Sequence, residues 1–123
     1  MNHPPPALTA EQLAQQAAQA CAEKKALEPL TLDVRGRSPV TDFLVLATGN
    51  SPPHLKALAT EVERTLKDIG WPVYRRSGNP DSGWLVLDFI DVVVHLFLPE
   101  PRAFYDLEHL WKDGSADKTK PLL

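Results

Sequence analysis

The stretch GWLVLDFIDVVVHLF, Gly83–Phe97, decides the fold of this 123-residue chain. Two apolar, β-rich runs, Trp84–Phe89 and Val92–Phe97, are separated by only two residues, Ile90 and Asp91. This pattern predicts a β-hairpin. Neither run alternates apolar and polar side chains as a half-solvated strand does. The hairpin is therefore either buried on both faces or keeps one face for a partner.

Local signals predict the other elements. Thr9 and Gln12 have the spacing of a capping box, so a first helix begins there and runs to about Ala26. Ser51 followed by proline begins a second helix, which ends at Gly70. The remaining predicted elements are three strands, Leu30–Val34, Phe43–Ala47 and an edge strand Pro72–Arg75, then a flexible loop over residues 77–82, the hairpin, and a short helix containing Phe104, Leu107, Leu110 and Trp111.

This order predicts an α/β fold with one mixed five-stranded sheet and flanking helices, α-β-β-α-β-β-β-α. The loop between the first two strands is too short for a parallel crossover, so they pair antiparallel if adjacent. The second helix permits a parallel relation between the strands on either side of it. We expect one domain over residues 8–112, a disordered N-terminus over 1–7 and a flexible tail over 113–123.

Composition limits the classes of function. The chain is 43% hydrophobic and 24% charged, as globular domains are. Its net charge of −3 argues against a protein that binds mainly nucleic-acid phosphates. No signal peptide and no apolar run near the ~20 residues of a membrane span are present, so we expect a cytoplasmic protein without membrane contact. The single cysteine, Cys21, lies on an apolar helical stripe and is expected to pack as a small hydrophobe rather than act as a nucleophile.

Asp91 and His95 are four residues apart on a predicted strand, so both point to one face. With His54 and His109 they could form a metal or acid–base site, although no pair has a spacing typical of zinc ligands. The alternative is structural: Asp91 shapes the hairpin turn, and His95 is partly buried or at an interface.

The segment from Gly49 to Ser51 leads from a strand into a helix, where anions bind readily. Nucleotidyltransferases have a Gly-Ser pair there, but they also hold metal with two carboxylates one residue apart on a neighbouring strand. Asp88 and Asp91 are three apart, and no predicted strand carries such a pair. Ser51 is therefore expected to be an N-cap only. Four arginines could form a small basic patch or simply face solvent: Arg35, Arg37, Arg75 and Arg76.

Three helices are few to cover both faces of five strands, so part of one face should stay open. An open apolar patch marks an interaction site, and Trp is favoured as a binding anchor. Aromatic residues cluster in the last third of the chain, among them Trp84, Phe89, Phe104, Tyr105 and Trp111. The residues alone thus predict a small α/β adaptor without a catalytic set.

Three segments, Leu32–Ser51, Gly83–Phe97 and Phe104–Trp111, resemble the ribosomal silencing factor (RsfS, Iojap-like) family, and the resemblance extends over Leu13–Lys112. It implies a non-catalytic homodimer with a nucleotidyltransferase-like core and neither metal nor cofactor. It further implies binding to the large ribosomal subunit through ribosomal protein uL14, without specific nucleic-acid recognition. Occupying that surface would block subunit joining and repress translation when nutrients are short. Organellar relatives act in large-subunit assembly.

The resemblance also implies which residues bind the partner. Four positions match the family's partner-binding motif: Trp84, Leu87, Asp88 and Phe89. Three further positions match the family pattern with less defined roles: Asp42, Asp91 and His95. The chain departs from the family at three positions, where Phe89 replaces a common Tyr, Ile90 a frequent Gly and Pro53 a commonly basic residue. Ile tolerates a positive φ poorly, so the hairpin turn is expected to differ from that of relatives.

Overall fold

The computed structural model describes residues 8–39 and 41–99. The elements, in chain order, are α1 (Ala10–Glu23), β1 (Leu27–Asp33), β2 (Phe43–Thr48), α2 (Pro52–Asp68), β3 (Arg75–Asn79), a 3-10 turn (Pro80–Ser82), β4 (Trp84–Asp88) and β5 (Val92–Phe97). The predicted order is confirmed through β5. The predicted helix around Phe104–Trp111, its His109, and the predictions for residues 1–7 and 113–123 lie outside the described residues.

The five strands form one sheet in the order β1-β2-β5-β4-β3. β2 and β5 pair in parallel at the centre, while β1–β2, β5–β4 and β4–β3 are antiparallel. The predicted mixed five-stranded sheet and its central hairpin are therefore confirmed. No described helix is long and apolar enough to cross a membrane.

Both helices begin where their caps predict. The Thr9 side chain and the Gln12 side chain form the expected capping box, and Ser51 caps α2. The predicted end of α1 at Ala26 is wrong by three residues. Lys25 adopts φ +64°, and the Ala26 N–H donates to the Cys21 carbonyl at 3.0 Å, which closes the helix in a Schellman-type motif. Glycine usually marks this turn, and here a lysine takes its place.

The third strand differs most from its prediction. It is formed by Arg75–Asn79 rather than Pro72–Arg75, so it occupies much of the segment expected to be a loop. All five of its residues are exposed, so the segment lacks the alternation of apolar and polar side chains that predicts a strand. Backbone pairing with β4 holds it in place. Its position at the edge of the sheet agrees with the prediction.

Both helices pack on one face of the sheet. Alternate side chains of β4 and β5, including Leu85, Leu87, Val94 and Leu96, join them in the larger core. Cys21 is buried there, and burial raises the pKa of its thiol to about 12, as expected for an inert core residue.

A smaller apolar cluster lies on the opposite face: Leu32, Val34, Leu44, Leu46, Val93 and Phe97, with Leu30, Trp84 and Val86 at its margin. Its members on the central strands are 0–2% exposed. The middle of this second face is therefore closed to solvent. The accessible part of this face lies between β3 and β4.

Candidate interaction surface

A groove of about 540 Å³ lies along β3 and β4 on the face opposite the helices. The antiparallel register places Arg75 opposite Asp88 and Ser77 opposite Val86, so alternate side chains of both strands line the same groove. Its lining is Arg75, Ser77, Gly78, Ser82, Trp84, Val86 and Asp88. The groove thus has an apolar floor with one charged pair at one end and a tryptophan at the other.

Trp84 is held rigidly at its end of the groove. Its indole Nε1–H donates a hydrogen bond to His95 Nδ1 at 3.0 Å. Its ring also packs against Phe97, with 5.1 Å between ring centroids. Since the side chain is only partly buried, the remaining indole surface is accessible and already ordered. An ordered, accessible Trp is a good binding anchor, because little side-chain entropy is lost on binding.

His95 supports Trp84 from within the protein. The ring is fully buried, and burial lowers its pKa to about 4. Because Nδ1 accepts the indole hydrogen bond, the neutral ring carries its proton on Nε2. That Nε2 has no hydrogen-bond partner among the described residues. His95 therefore fixes the indole and is not available as an acid or base near neutral pH.

Asp88 organises the other end of the groove. Its Oδ1 accepts a hydrogen bond from the Ile90 N–H at 2.8 Å, and its Oδ2 accepts one from Arg75 Nη2 at 3.4 Å. Its backbone carbonyl accepts from the Tyr74 N–H at 2.8 Å. The carboxylate is only 11% exposed, so it acts mainly by positioning the three residues around it.

Ile90 occupies a strained backbone conformation at the tip of the hairpin. Its φ is +77°, and the Asp91 N–H donates to the Phe89 carbonyl at 3.0 Å, an i to i+2 bond that defines a γ-turn. The γ-turn with positive φ is rare, and such strain costs on the order of 1–3 kcal/mol. The isoleucine thus has a positive φ, which a glycine would adopt without strain. Its side chain is 54% exposed.

Leu87 and Phe89 lie on the other side of the sheet from the groove. They are 0% and 1% exposed and pack in the helix-side core. Of the four residues carried over from the family motif, the structure therefore places Trp84 and Asp88 at the groove and the other two beneath it. Leu87 and Phe89 can affect a partner only through the strand and the turn that they anchor.

Asp91 and Asp42 lie at the hairpin-tip end of the sheet. The Asp91 carbonyl accepts hydrogen bonds from the Asp42 and Phe43 N–H groups at 3.1 and 3.2 Å, which ties the β1–β2 loop to the hairpin turn. The Asp42 side chain is exposed. Asp91 thus joins the loop to the hairpin turn through its backbone carbonyl.

The residues proposed for metal or acid–base chemistry do not assemble. His54 accepts from the Asn50 N–H at 2.9 Å through Nδ1, and its Nε2 lies 2.8 Å from the Lys24 carbonyl. Within residues 8–39 and 41–99, no group of three or more His, Cys, Asp or Glu side chains could hold a metal ion. Ser51 Oγ accepts from the His54 N–H at 3.3 Å, as an N-cap does.

Three of the four arginines, Arg35, Arg75 and Arg76, each face an acidic side chain and do not act as one basic patch. Arg35 is paired with Asp33, with a shortest separation of 2.6 Å, and this hydrogen bonding lowers the pKa of Asp33 to about 2. Arg76 is paired with Glu63 at 2.7 Å, and Arg75 faces Asp88. Their charges are therefore balanced locally, which leaves little field to attract nucleic acid.

Sequence reasoning missed the half of the groove contributed by β3, including Arg75 as a groove residue. Polar, exposed residues such as Ser77 and Gly78 give no strand signal of their own. The available signal was the hairpin-like spacing between this segment and β4, with a glycine, Gly83, just before Trp84.

Comparisons with known proteins identify the family. The family model described as ribosomal silencing factor during starvation matches residues 7–122. A ribosomal silencing factor from Halalkalibacterium halodurans is 36% identical over 104 residues, covering 85% of this chain and 89% of its own length. A mouse protein named mitochondrial assembly of ribosomal large subunit protein 1 is 38% identical over 80 residues, covering 63% of this chain and 35% of its own.

A solved structure from Chromobacterium violaceum has the same fold. It superposes with a TM-score of 0.81 at 31% sequence identity, covering 85% of this chain and 88% of its own. The match between sequence, fold and family model extends over the sheet and both described helices. The chain belongs to the ribosomal silencing factor family.

Proposed function

We propose that this protein binds the large ribosomal subunit through ribosomal protein uL14 and sterically blocks joining of the small subunit, which represses translation under nutrient limitation. Family membership supports the ribosome as the target, and the preordered groove beside Trp84 supports a protein-binding mode. The protein would act by occupying a surface, without catalysis. Its place of action would then be the cytoplasm.

In this proposal Trp84 and Asp88 belong to the contact surface itself. Leu87 and Phe89 support it from the core, since their side chains are buried on the helix side. His95 holds the indole, while Asp91 and Asp42 fix the turn and the loop next to it. A stable protein interface covers roughly 800 Å² on each partner, so the contact would extend beyond the groove over the β3–β4 face.

The proposal is tested by Trp84→Ala. We expect binding to purified large subunits to weaken by about 2 kcal/mol or more, as for other buried anchor residues, because the variant removes the ordered indole. Cosedimentation with large subunits measures the affinity, and circular dichroism measures the folded fraction, since His95 also loses its partner. Leu27→Ala is the matched control, because Leu27 is an exposed apolar residue on β1, at the other edge of the sheet. Unchanged binding per folded Trp84→Ala molecule would assign Trp84 to the core instead.

A second candidate function is large-subunit assembly, which the name of the mouse relative favours. The binding surface would be the same, but the protein would act on an immature subunit. Two experiments distinguish these functions. A subunit-joining assay with mature subunits tests silencing, and the profile of assembly intermediates in cells lacking the protein tests assembly.

We further propose that the protein forms a homodimer in solution, as the family resemblance implies. Light scattering of the purified protein measures this directly. A mass of one chain, 13.6 kDa, at micromolar concentration would contradict the dimer without affecting the proposed ribosome binding.

A further inference from the structure

The hairpin tip carries an apolar side chain where folding alone gives no reason for one. Ile90 has a φ of +77°, which glycine adopts without strain, and its side chain is 54% exposed. It therefore combines backbone strain with little burial in return. Strained residues of this kind cluster at functional sites.

The tip is connected to the groove through Asp88. One carboxylate oxygen holds the Ile90 N–H, the other faces Arg75, and the backbone carbonyl holds the Tyr74 N–H. The Arg75 guanidinium lies 5.7 Å from the centre of the Tyr74 ring. Tyr74, Arg75 and Ile90 thus surround Asp88 at one end of the groove, and we name these three residues the tip patch.

In the described part of the chain, exposed apolar surface is concentrated at this patch. Among the described residues, three large hydrophobic side chains are exposed, namely Tyr74 at 65%, Ile90 at 54% and Leu27 at 45%. Two of them belong to the tip patch, and Leu27 lies on β1 at the opposite edge of the sheet. Asp88, which the tip patch surrounds, is separated from Trp84 by the length of β4, about 13 Å at the usual rise per residue, and Ile90 lies two residues further along the chain.

We infer that Ile90 is a second anchor for the partner, so that the protein attaches at two points, Trp84 at one end of the groove and the tip patch at the other. The inference rests on the proposed function and names the chemistry of the contact. The Arg75 charge is balanced by Asp88 at 3.4 Å, so the patch lacks the net positive charge that phosphates require. The occupant is therefore an apolar patch on a protein of the large subunit, bordered by polar groups, and not ribosomal RNA.

The experiment compares Ile90→Gly with the wild type in cosedimentation with purified large subunits. We expect Ile90→Gly to bind about tenfold more weakly, while its thermal midpoint rises by about 4 °C because the strain is relieved. Ile90→Ala should lose affinity to the same extent without the gain in stability. Ile90→Val should retain most of the wild-type affinity, and Leu27→Ala should retain all of it.

Wild-type affinity in the Ile90→Gly variant would overturn the second anchor while leaving the proposed function intact. If the wild type itself failed to sediment with large subunits, both would be overturned. Binding to protein-free large-subunit RNA should not depend on Ile90. An equal, tenfold loss on that RNA would contradict the protein partner inferred for the tip patch.

Discussion

Individual residues in the groove act through one another. Trp84 depends on His95 for its orientation, and Ile90 and Arg75 depend on Asp88. The sequence motif treats these residues as one contiguous set. The structure separates those that line the groove from those that hold them in place, so substitutions at the two kinds of position should have different signatures.

His95 should make the protein sensitive to mild acid. Burial lowers its pKa to about 4 in the folded protein, whereas the unfolded chain has a value near 6.5. As the pH falls below about 6.5, His95 becomes protonated in the unfolded state but stays neutral in the folded state. The free energy of unfolding therefore decreases progressively towards pH 4. The expected loss is about 2 kcal/mol between pH 7.5 and pH 5.

Urea denaturation of the wild type and of His95→Gln at both pH values measures this effect. Gln does not titrate, and its amide oxygen is an acceptor for the Trp84 indole. The other histidines are common to both proteins, so their contributions cancel in the comparison. An equal loss of stability in both proteins on acidification would show that His95 is not the cause.

At the scale of elements, the close approach of β3 to β4 builds the groove. Gly78 has a φ of +77°, and a Cβ at this position would lie 2.1 Å from the Trp84 carbonyl oxygen. Gly78→Ala should therefore destabilise the fold by about 2–3 kcal/mol, because backbone atoms cannot move aside as side chains do.

Gly36→Ala is the matched control for Gly78→Ala. Gly36 has a similar φ of +80°, but its added Cβ would meet nothing within 4 Å. Its cost should be limited to the conformational term of about 1–2 kcal/mol. Urea denaturation of both variants gives the difference. If the two variants lost the same stability, the contact between Gly78 and Trp84 would not limit the packing of the strands.

The sequence predicted those elements whose signals are local. The β4–β5 hairpin has two apolar runs with a short spacer, and α2 has an N-cap at Ser51 and a C-terminal glycine at Gly70. β3 was misplaced because its residues are polar and exposed, and its conformation comes from pairing with β4. The predicted end of α1 was misplaced because Lys25 ends the helix in a left-handed conformation, which glycine usually adopts and lysine rarely does.

The candidate site was predicted only in part, and the reason is similar. The motif match found Trp84 and Asp88, which line the groove, but it grouped them with Leu87 and Phe89. The two-residue period of a strand could have separated these pairs, since Leu87 and Phe89 alternate with the groove residues. Arg75 could not be assigned to the groove without the β3–β4 register, which only the folded chain provides.

At the scale of the whole molecule, a steric mechanism requires bulk in a fixed orientation. A chain of this length has a radius of gyration of about 14 Å when folded, enough to occupy the space between two closely apposed surfaces. Two anchors, Trp84 at the start of β4 and Ile90 beyond its end, would also fix how the bound protein is oriented. A blocker of this kind needs no catalytic group, only affinity and position.

The central claim is tested most directly by a subunit-joining assay. Purified large subunits are incubated with the protein, small subunits are then added, and the formation of joined ribosomes is followed by light scattering. We expect joining to fall as the protein reaches one copy per large subunit, and to recover when Trp84→Ala replaces the wild type. Unchanged joining with the folded wild-type protein bound in excess to the large subunit would contradict the steric block.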